Sequence, residues 1–260
     1  MIKFFRHIRQ NLIMENKTGK YFKYAFGEII LVVIGILIAL QINNWNTSRL
    51  NDIKEKQYLN NIIDDIKTQR LLVEDQVTHN SKMRQQCEKA LIHLSSNHRD
   101  ADSLNVYLTD ITRKKYEVND TTFKDLKSSG NILLIKDSDL KKKIISFYKY
   151  LDYSSLVIQI SNETSIAEFR DLLVTKNVVN MNYTDSLKVA GGIDFSLKSI
   201  EIPWAKKLQE DKMNDKDYLL MLLNHISQRG RTSSVHLDIM QSMALRIENM
   251  ESDIENYLEL

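Results

Sequence analysis

The run Ile29–Leu40 (IILVVIGILIAL) constrains this chain more than any other feature, because twelve consecutive apolar residues have to be hidden from water. Twelve residues is short for a membrane span, and a run of that length also suits a buried core helix. The flanks decide between the two. From Tyr24 to Ile42, nineteen residues, Glu28 and Gln41 are the only strongly polar side chains. As a helix this stretch covers about 28 Å, close to the ~30 Å hydrocarbon core of a bilayer. Glu28 falls within the first turns, where a carboxylate reaches the headgroups. Tyr21 and Tyr24 at one end and Trp45 at the other match the aromatic belts of the two interfaces. The spacing predicts a transmembrane helix over residues 24–42.

Charge gives the orientation. Lys3, Arg6, Arg9, Lys17, Lys20 and Lys23 precede the span, with Glu15 as the one acid among residues 1–23. Beyond Ile42 the next basic residues, Arg49, Lys54 and Lys56, are interleaved with Asp52 and Glu55. Positive charge is retained in the cytoplasm, so the N-terminus is expected inside and residues 47–260 on the far side of the membrane. No Ala-x-Ala pattern follows the apolar run, which weighs against a cleaved signal peptide. Ile2, Phe5, Ile8 and Leu12 recur at helical spacing among basic residues. Residues 1–18 therefore read as a cytoplasmic basic amphipathic segment on an anionic leaflet, with an elbow at 16–20 around Gly19.

One proline and seven glycines in 260 residues exclude the turn-rich sandwiches and barrels, and strands do not alternate with helices as a parallel sheet requires. The predicted fold is all-α: an N-terminal transmembrane helix followed by a long-helix up-and-down bundle, with a small β-hairpin fitting residues 193–203. A three-four seam runs through Leu59, Ile62, Ile66, Gln69, Val73, Gln76, Asn80, Met83, Cys87, Ala90 and Leu94. Its polar members favour packing within one bundle over a coiled coil between subunits. Asn43, Asn44, Asn46 and Ser48 are expected to loosen the helix just outside the bilayer. A helix is expected near 103–114, a short one ending at Ser129 with Gly130 as its stop, and a long one from Asp137 or Ser138 to about Thr175. Residues 176–214 read as irregular. A last helical region starts at Asn214 or Asp215 and is expected to break or kink near Gly230 and Ser233, before the seam Met240, Met243, Ile247, Met250, Ile254 and Tyr257.

Chemistry-bearing motifs are sparse. One cysteine, Cys87, excludes an internal disulfide and a site built on two thiolates. No phosphate loop, nucleophile elbow, His-Glu-x-x-His or Glu-x-x-His motif is present. His93, His98, Asp100 and Asp102 form the densest ligand-like cluster, but their spacing does not place both imidazoles on one helix face, so a solvated loop is the expectation and no metal or cofactor is assigned. Asp75 and His79 read as a surface pair, Lys141–Lys143 as a solvated face, and His225 and His236 as sharing a face across a break. The membrane segment carries the better hint. Glu28, Gly35 and Ala39 share one helix face, and Gly35-x-x-x-Ala39 is a small-xxx-small pattern that admits a second helix.

The segment FFRHIRQNLIMENKTGKYFKYAFGEIILVVIGILIALQINNWN (4–46) resembles the N-terminal signature of an uncharacterised Bacteroidetes membrane-protein family, a domain of unknown function. FKDLKSSGNILLIKDSDLKKKIISFY (123–148) is similar to that family's middle, while His7 and Phe26 depart from its commoner residues. The resemblance implies a Gram-negative cell, hence an inner-membrane anchor and a periplasmic domain. It brings no activity and no site residues. The expected function is a non-enzymatic, membrane-anchored interaction protein, in contact with the lipid bilayer and with another envelope protein or itself, and without nucleic acid. A periplasmic ligand-binding sensor acting through a partner is the alternative.

Overall fold

The structure is a computed structural model, and it describes residues 18–109, 111, 113–171, 187–189, 193–195 and 203–259. The chain is all-α in character. Helix α1 runs Thr18–Ser95, α2 Ala101–Thr109, α3 Thr121–Ser128, α4 Ser138–Asp171, α5 Pro203–Lys212 and α6 Lys216–Glu259, with a 3-10 turn at Asn131–Leu134. Strands β1 (Leu187–Val189) and β2 (Ile193–Phe195) pair antiparallel in the register Leu187 to Phe195, Lys188 to Asp194 and Val189 to Ile193. The expected hairpin is thus set one strand earlier, and residues 190–192 and 196–202 lie outside the described residues. The chain divides into two compact units, residues 1–58 and 59–260.

In the first unit α1 is continuous. The loosening expected at 43–48 does not occur, because the polar side chains there satisfy themselves along the helix. Thr47 Oγ1 donates to the Asn43 carbonyl at 2.9 Å, and Arg49 Nη2 reaches Asn46 Oδ1 at 3.5 Å. With neither glycine nor proline between Gly35 and Gly130, no backbone signal ends the helix early. The elbow expected at 16–20 is likewise absent from Thr18 onward, where the chain is already helical. The proposed surface helix of residues 1–17 lies outside the described residues.

In the second unit all eleven seam positions from Leu59 to Leu94 are buried, as are Leu140, Ile144, Phe147, Leu151 and Ile158 of α4 and Met240, Met243, Ile247, Met250 and Ile254 of α6. Cross-helix partners give the directions. Arg70 with Glu251, Asn80 with His236 and Cys87 beside Gly230 make α1 antiparallel to α6. Lys143 with Asp253, Tyr150 with Ser242 and Ser161 with His236 make α4 antiparallel to α6. Helices α1 and α4 therefore run the same way, and the up-and-down alternation is kept by a return leg of two short helices with a non-helical stretch between them. That leg is α2, which ends at Thr109 rather than near 114, then a non-helical strap through Asp120, then α3.

Local signals fix most boundaries. Asp100 Oδ1 accepts from Ser103 N–H at 2.7 Å, Asp137 Oδ1 from Asp139 and Leu140 N–H at 2.7 and 2.8 Å, and Asp215 Oδ1 from Asp217 and Tyr218 N–H at 3.1 and 3.2 Å, each capping a helix start. Gly130 takes φ 74°, the left-handed conformation that stops α3. Pro203 opens α5, since its missing N–H costs nothing in a first turn. The break expected at Gly230 and Ser233 is not found: α6 is continuous. Gly230 serves packing instead, because a Cβ there would sit 3.4 Å from Cys87 Cβ, where α1 and α6 approach closely.

Candidate functional site

Three features of the described residues bear on function. The first is the apolar sleeve of α1. Its most apolar 18-residue window has mean hydropathy 2.5 and is 0% buried. The helix is long and apolar enough to cross a membrane. Phe26, Ile29 to Ile34, Ile36 to Ile38, Leu40, Ile42 and Trp45 are all exposed. Gly35 and Ala39 are exposed, nothing lies within 4 Å of the place a Gly35 Cβ would take, and Glu28 is half-buried. The association face is therefore uncovered within this unit. Lys3, Arg6, Arg9 and Lys17, and the side chains of Lys20, Tyr21 and Tyr24, lie outside the described residues, while Lys23 is exposed.

The second is a buried polar seam. Gln69, Gln76 and Asn80 occupy core positions on α1, 1–3% exposed. Their partners are largely the backbone of the strap. Gln69 Oε1 accepts from Asn119 N–H at 2.7 Å, and Gln69 Nε2 donates to Tyr116 Oη at 2.5 Å. Gln76 Nε2 donates to the Lys115 carbonyl at 2.8 Å. Helix α4 adds Ser155 Oγ to the Tyr116 carbonyl at 3.1 Å and Asn162 Nδ2 to the Lys114 carbonyl at 3.1 Å. A non-helical segment has no ladder to satisfy its peptide groups, so a strap between two helices needs such side chains. The spacing is consistent: Lys115 to Asn119 extended spans about 13 Å, against about 10 Å for Gln69 to Gln76 in a helix. Asp65 of α1 completes the clamp by accepting from Thr122 N–H at 2.9 Å, capping α3 from outside its own segment.

At the far end of the seam His236 bridges three helices. Its Nδ1 lies 3.3 Å from Asn80 Oδ1 and its Nε2 2.7 Å from Ser161 Oγ. Burial, the Arg229 guanidinium and the His79 ring hold its pKa down at about 4. His79 is not the plain surface residue its spacing suggests. It is half-buried, with a pKa lowered by burial and by the Lys114 ammonium, while its expected partner Asp75 forms an ion pair with Lys114. Cys87 is buried 1% exposed nearby, and burial pushes its thiol up to about 11, so it stays protonated and unreactive. His225 is half-buried on the same unbroken helix as His236.

The third is a cleft of about 260 Å³ bordered by Arg99, Asp100 and Asp102 on one side and Lys206, Glu210 and Met213 on the other. The cluster singled out in the sequence borders it, but its polar groups are engaged with one another. His93 Nε2 accepts from Asp100 N–H at 3.0 Å, Arg99 Nε donates to the Met213 carbonyl at 3.1 Å, and Lys206 lies 3.8 Å from Asp102. The main-chain N–H of Ser103 is the chief cause holding the Asp100 carboxyl low. His98 is exposed. Among the described residues no group of three His, Cys, Asp or Glu is placed to hold a metal ion. The lysine run is engaged too: Lys141 Nζ donates to the Ile135 carbonyl at 3.0 Å, Lys142 pairs with Asp139 at 3.1 Å and Lys143 with Asp253 at 2.7 Å.

Residues 28–186 match the family of unknown function DUF6090. The chain belongs to this family. No curated protein and no solved structure matches it. The DUF6090 match begins at Glu28 and takes in the sleeve from there on, the seam residues of α1, the strap, α3 and α4. It ends before α6, so Arg229, Gly230 and His236 lie outside it. Within the DUF6090 region no local sequence pattern marks the strap, its α4 partners Ser155 and Asn162, or Ser161, which faces His236. The available signal was the polar interruption of the α1 seam at Gln69, Gln76 and Asn80, spaced seven and four residues apart.

Proposed function

We propose that this DUF6090 protein is a membrane-anchored interaction protein of the cell envelope. Residues 24–42 cross the inner membrane, the basic N-terminus lies in the cytoplasm and the helical domain lies in the periplasm. The observation that carries the reading is the bare apolar sleeve, a window of mean hydropathy 2.5 with no residue buried. Exposing that much contiguous apolar surface to water is not a stable state for a soluble chain. The Bacteroidetes resemblance and the basic leader support the side and the compartment. An interaction role is supported by α4, where Ile145, Tyr153, Leu156 and Ile160 form an exposed apolar stripe within about 80° of helix surface. The seam, by contrast, is occupied by the chain's own strap.

Two experiments test this. Alkaline carbonate should leave the full chain in the membrane pellet, and release into the supernatant overturns the anchor. A photo-crosslinking residue at Leu156 should give a discrete adduct in cells and one at exposed Lys67 should not; equal patterns overturn the interaction role. A second reading, a ligand-binding sensor, is favoured by the 260 Å³ cleft with charges of both signs. It predicts a saturable thermal shift with a small zwitterionic solute that Arg99→Ala abolishes.

A further inference from the structure

We infer that His236 is an acid-sensitive latch that joins the three long helices of the domain and releases α4 from α1 and α6 as ambient pH falls. The geometry defines one proton on the ring. Asn80 uses its amide nitrogen on the Gln76 carbonyl at 2.9 Å and on Gln76 Oε1 at 3.3 Å, which leaves its oxygen facing His236. That oxygen only accepts, so Nδ1 carries the hydrogen and Nε2 accepts from the Ser161 hydroxyl. The latch therefore ties α6 to α1 through Asn80 and to α4 through Ser161, from a residue 2% exposed.

A second proton upsets both the hydrogen bond and the charge. Protonated Nε2 becomes a donor, and the Ser161 hydroxyl has to turn from donor to acceptor. The new charge also enters a positive neighbourhood. Helix α6 contributes Arg229, 1% exposed, and α1 contributes His79, with Lys82 and Asp75 acting on His79 rather than on His236. The strap contributes Lys114, already paired with Asp75, and α4 contributes the neutral Ser161 and Asn162. No carboxylate among these groups is the counter-ion of His236. The closed domain therefore keeps His236 neutral down to about pH 4, whereas a released, solvated ring takes its proton near 6.5.

The sign follows by linkage. Between those two values the open form binds the extra proton, so the closed form is fully favoured above pH 6.5 and loses ground as pH falls toward 4. The closed-to-open ratio drops roughly 30-fold from pH 7.5 to pH 5 and roughly 300-fold once pH is below 4. That the domain meets ambient acid rests on the periplasmic placement above, but the latch itself is tested on purified protein and stands or falls separately.

The experiment is hydrogen exchange by mass spectrometry on the full chain in lipid nanodiscs at pH 7.5 and 5.0, with labelling times scaled for the intrinsic rate. The wild type should show opening of α4 peptides increased roughly 30-fold at pH 5.0. His236→Gln should show no such increase. Asn80→Asp, which sets a carboxylate against Nδ1 and accommodates the imidazolium, should flatten it too, so a folding failure in one variant leaves the other decisive. Equal α4 protection at the two pH values in the wild type overturns the latch, and so does an undiminished acid response in whichever variants fold.

Discussion

Replacing Gln69 by leucine separates two opposed accounts of the α1 seam. If the seam were a plain apolar stripe, leucine would complete it and stabilise the domain by about 1–2 kcal/mol, the worth of burying a further apolar side chain. In the structure Gln69 instead holds the strap. Its loss takes the acceptor from Asn119 N–H at 2.7 Å and the incoming donor from Tyr116 Oη, which keeps its own donation to Met243 Sδ at 3.0 Å. Each stranded group costs about 1–3 kcal/mol when water cannot replace the partner. Asn119 is only half-buried, so its share falls at the low end. After the apolar gain, the net loss is about 2 kcal/mol. With a urea m-value on the order of 2 kcal/mol/M, the midpoint of the full chain in detergent micelles, followed by circular dichroism, should fall by about 1 M at unchanged slope. A cycle with Tyr116→Phe should give a coupling of about 1 kcal/mol. A Gln69→Leu protein as stable as wild type, or more so, refutes the reasoning.

Asp65→Ala removes the cap on α3 and the oxygen facing Asn119 Nδ2, and should cost about 1–2 kcal/mol in the same urea titration. Gly230→Ala should be neutral or stabilising by up to about 1 kcal/mol, since a Cβ 3.4 Å from Cys87 is tolerable and the helix gains propensity, whereas Gly230→Leu should cost about 1–3 kcal/mol by thermal melt. The Cys87 thiol, pushed up to about 11, should react with iodoacetamide at pH 8 about 100-fold more slowly in the native chain than in urea, read by intact mass.

Long-period features were legible in the residues. The seam from Leu59 to Leu94 and the stripe from Met240 to Ile254 are buried as their spacing requires, and the end of α1 at Ser95, the Gly130 stop and the Asp137 and Asp215 caps follow local rules that need no tertiary knowledge. What escaped depends on partners distant in sequence. Propensity disfavours Gly230 inside a helix, but its position is set by Cys87 across the α1–α6 contact. Helix α2 stops short of the expected 114 because the carbonyls of Lys114, Lys115 and Tyr116 are claimed by Asn162, Gln76 and Ser155, 48, 39 and 39 residues away. The cap of α3 comes from Asp65, 57 residues earlier in the chain. The polar seam was visible as an interruption, and nothing local showed that it bound a strap. His236 stood in the sequence beside His225, and its true neighbours, Asn80 and Ser161, lie 156 and 75 residues off.

The placement of the chain across a bilayer is tested most directly by cysteine labelling in spheroplasts with a membrane-impermeant maleimide. The native thiol is silent, since Cys87 is 1% exposed. Ser252→Cys, on the exposed side of α6, should label completely on intact spheroplasts, and Asn16→Cys only after lysis. Labelling of Asn16→Cys on intact cells with Ser252→Cys protected would contradict the orientation, and protection of both until lysis would contradict a span altogether.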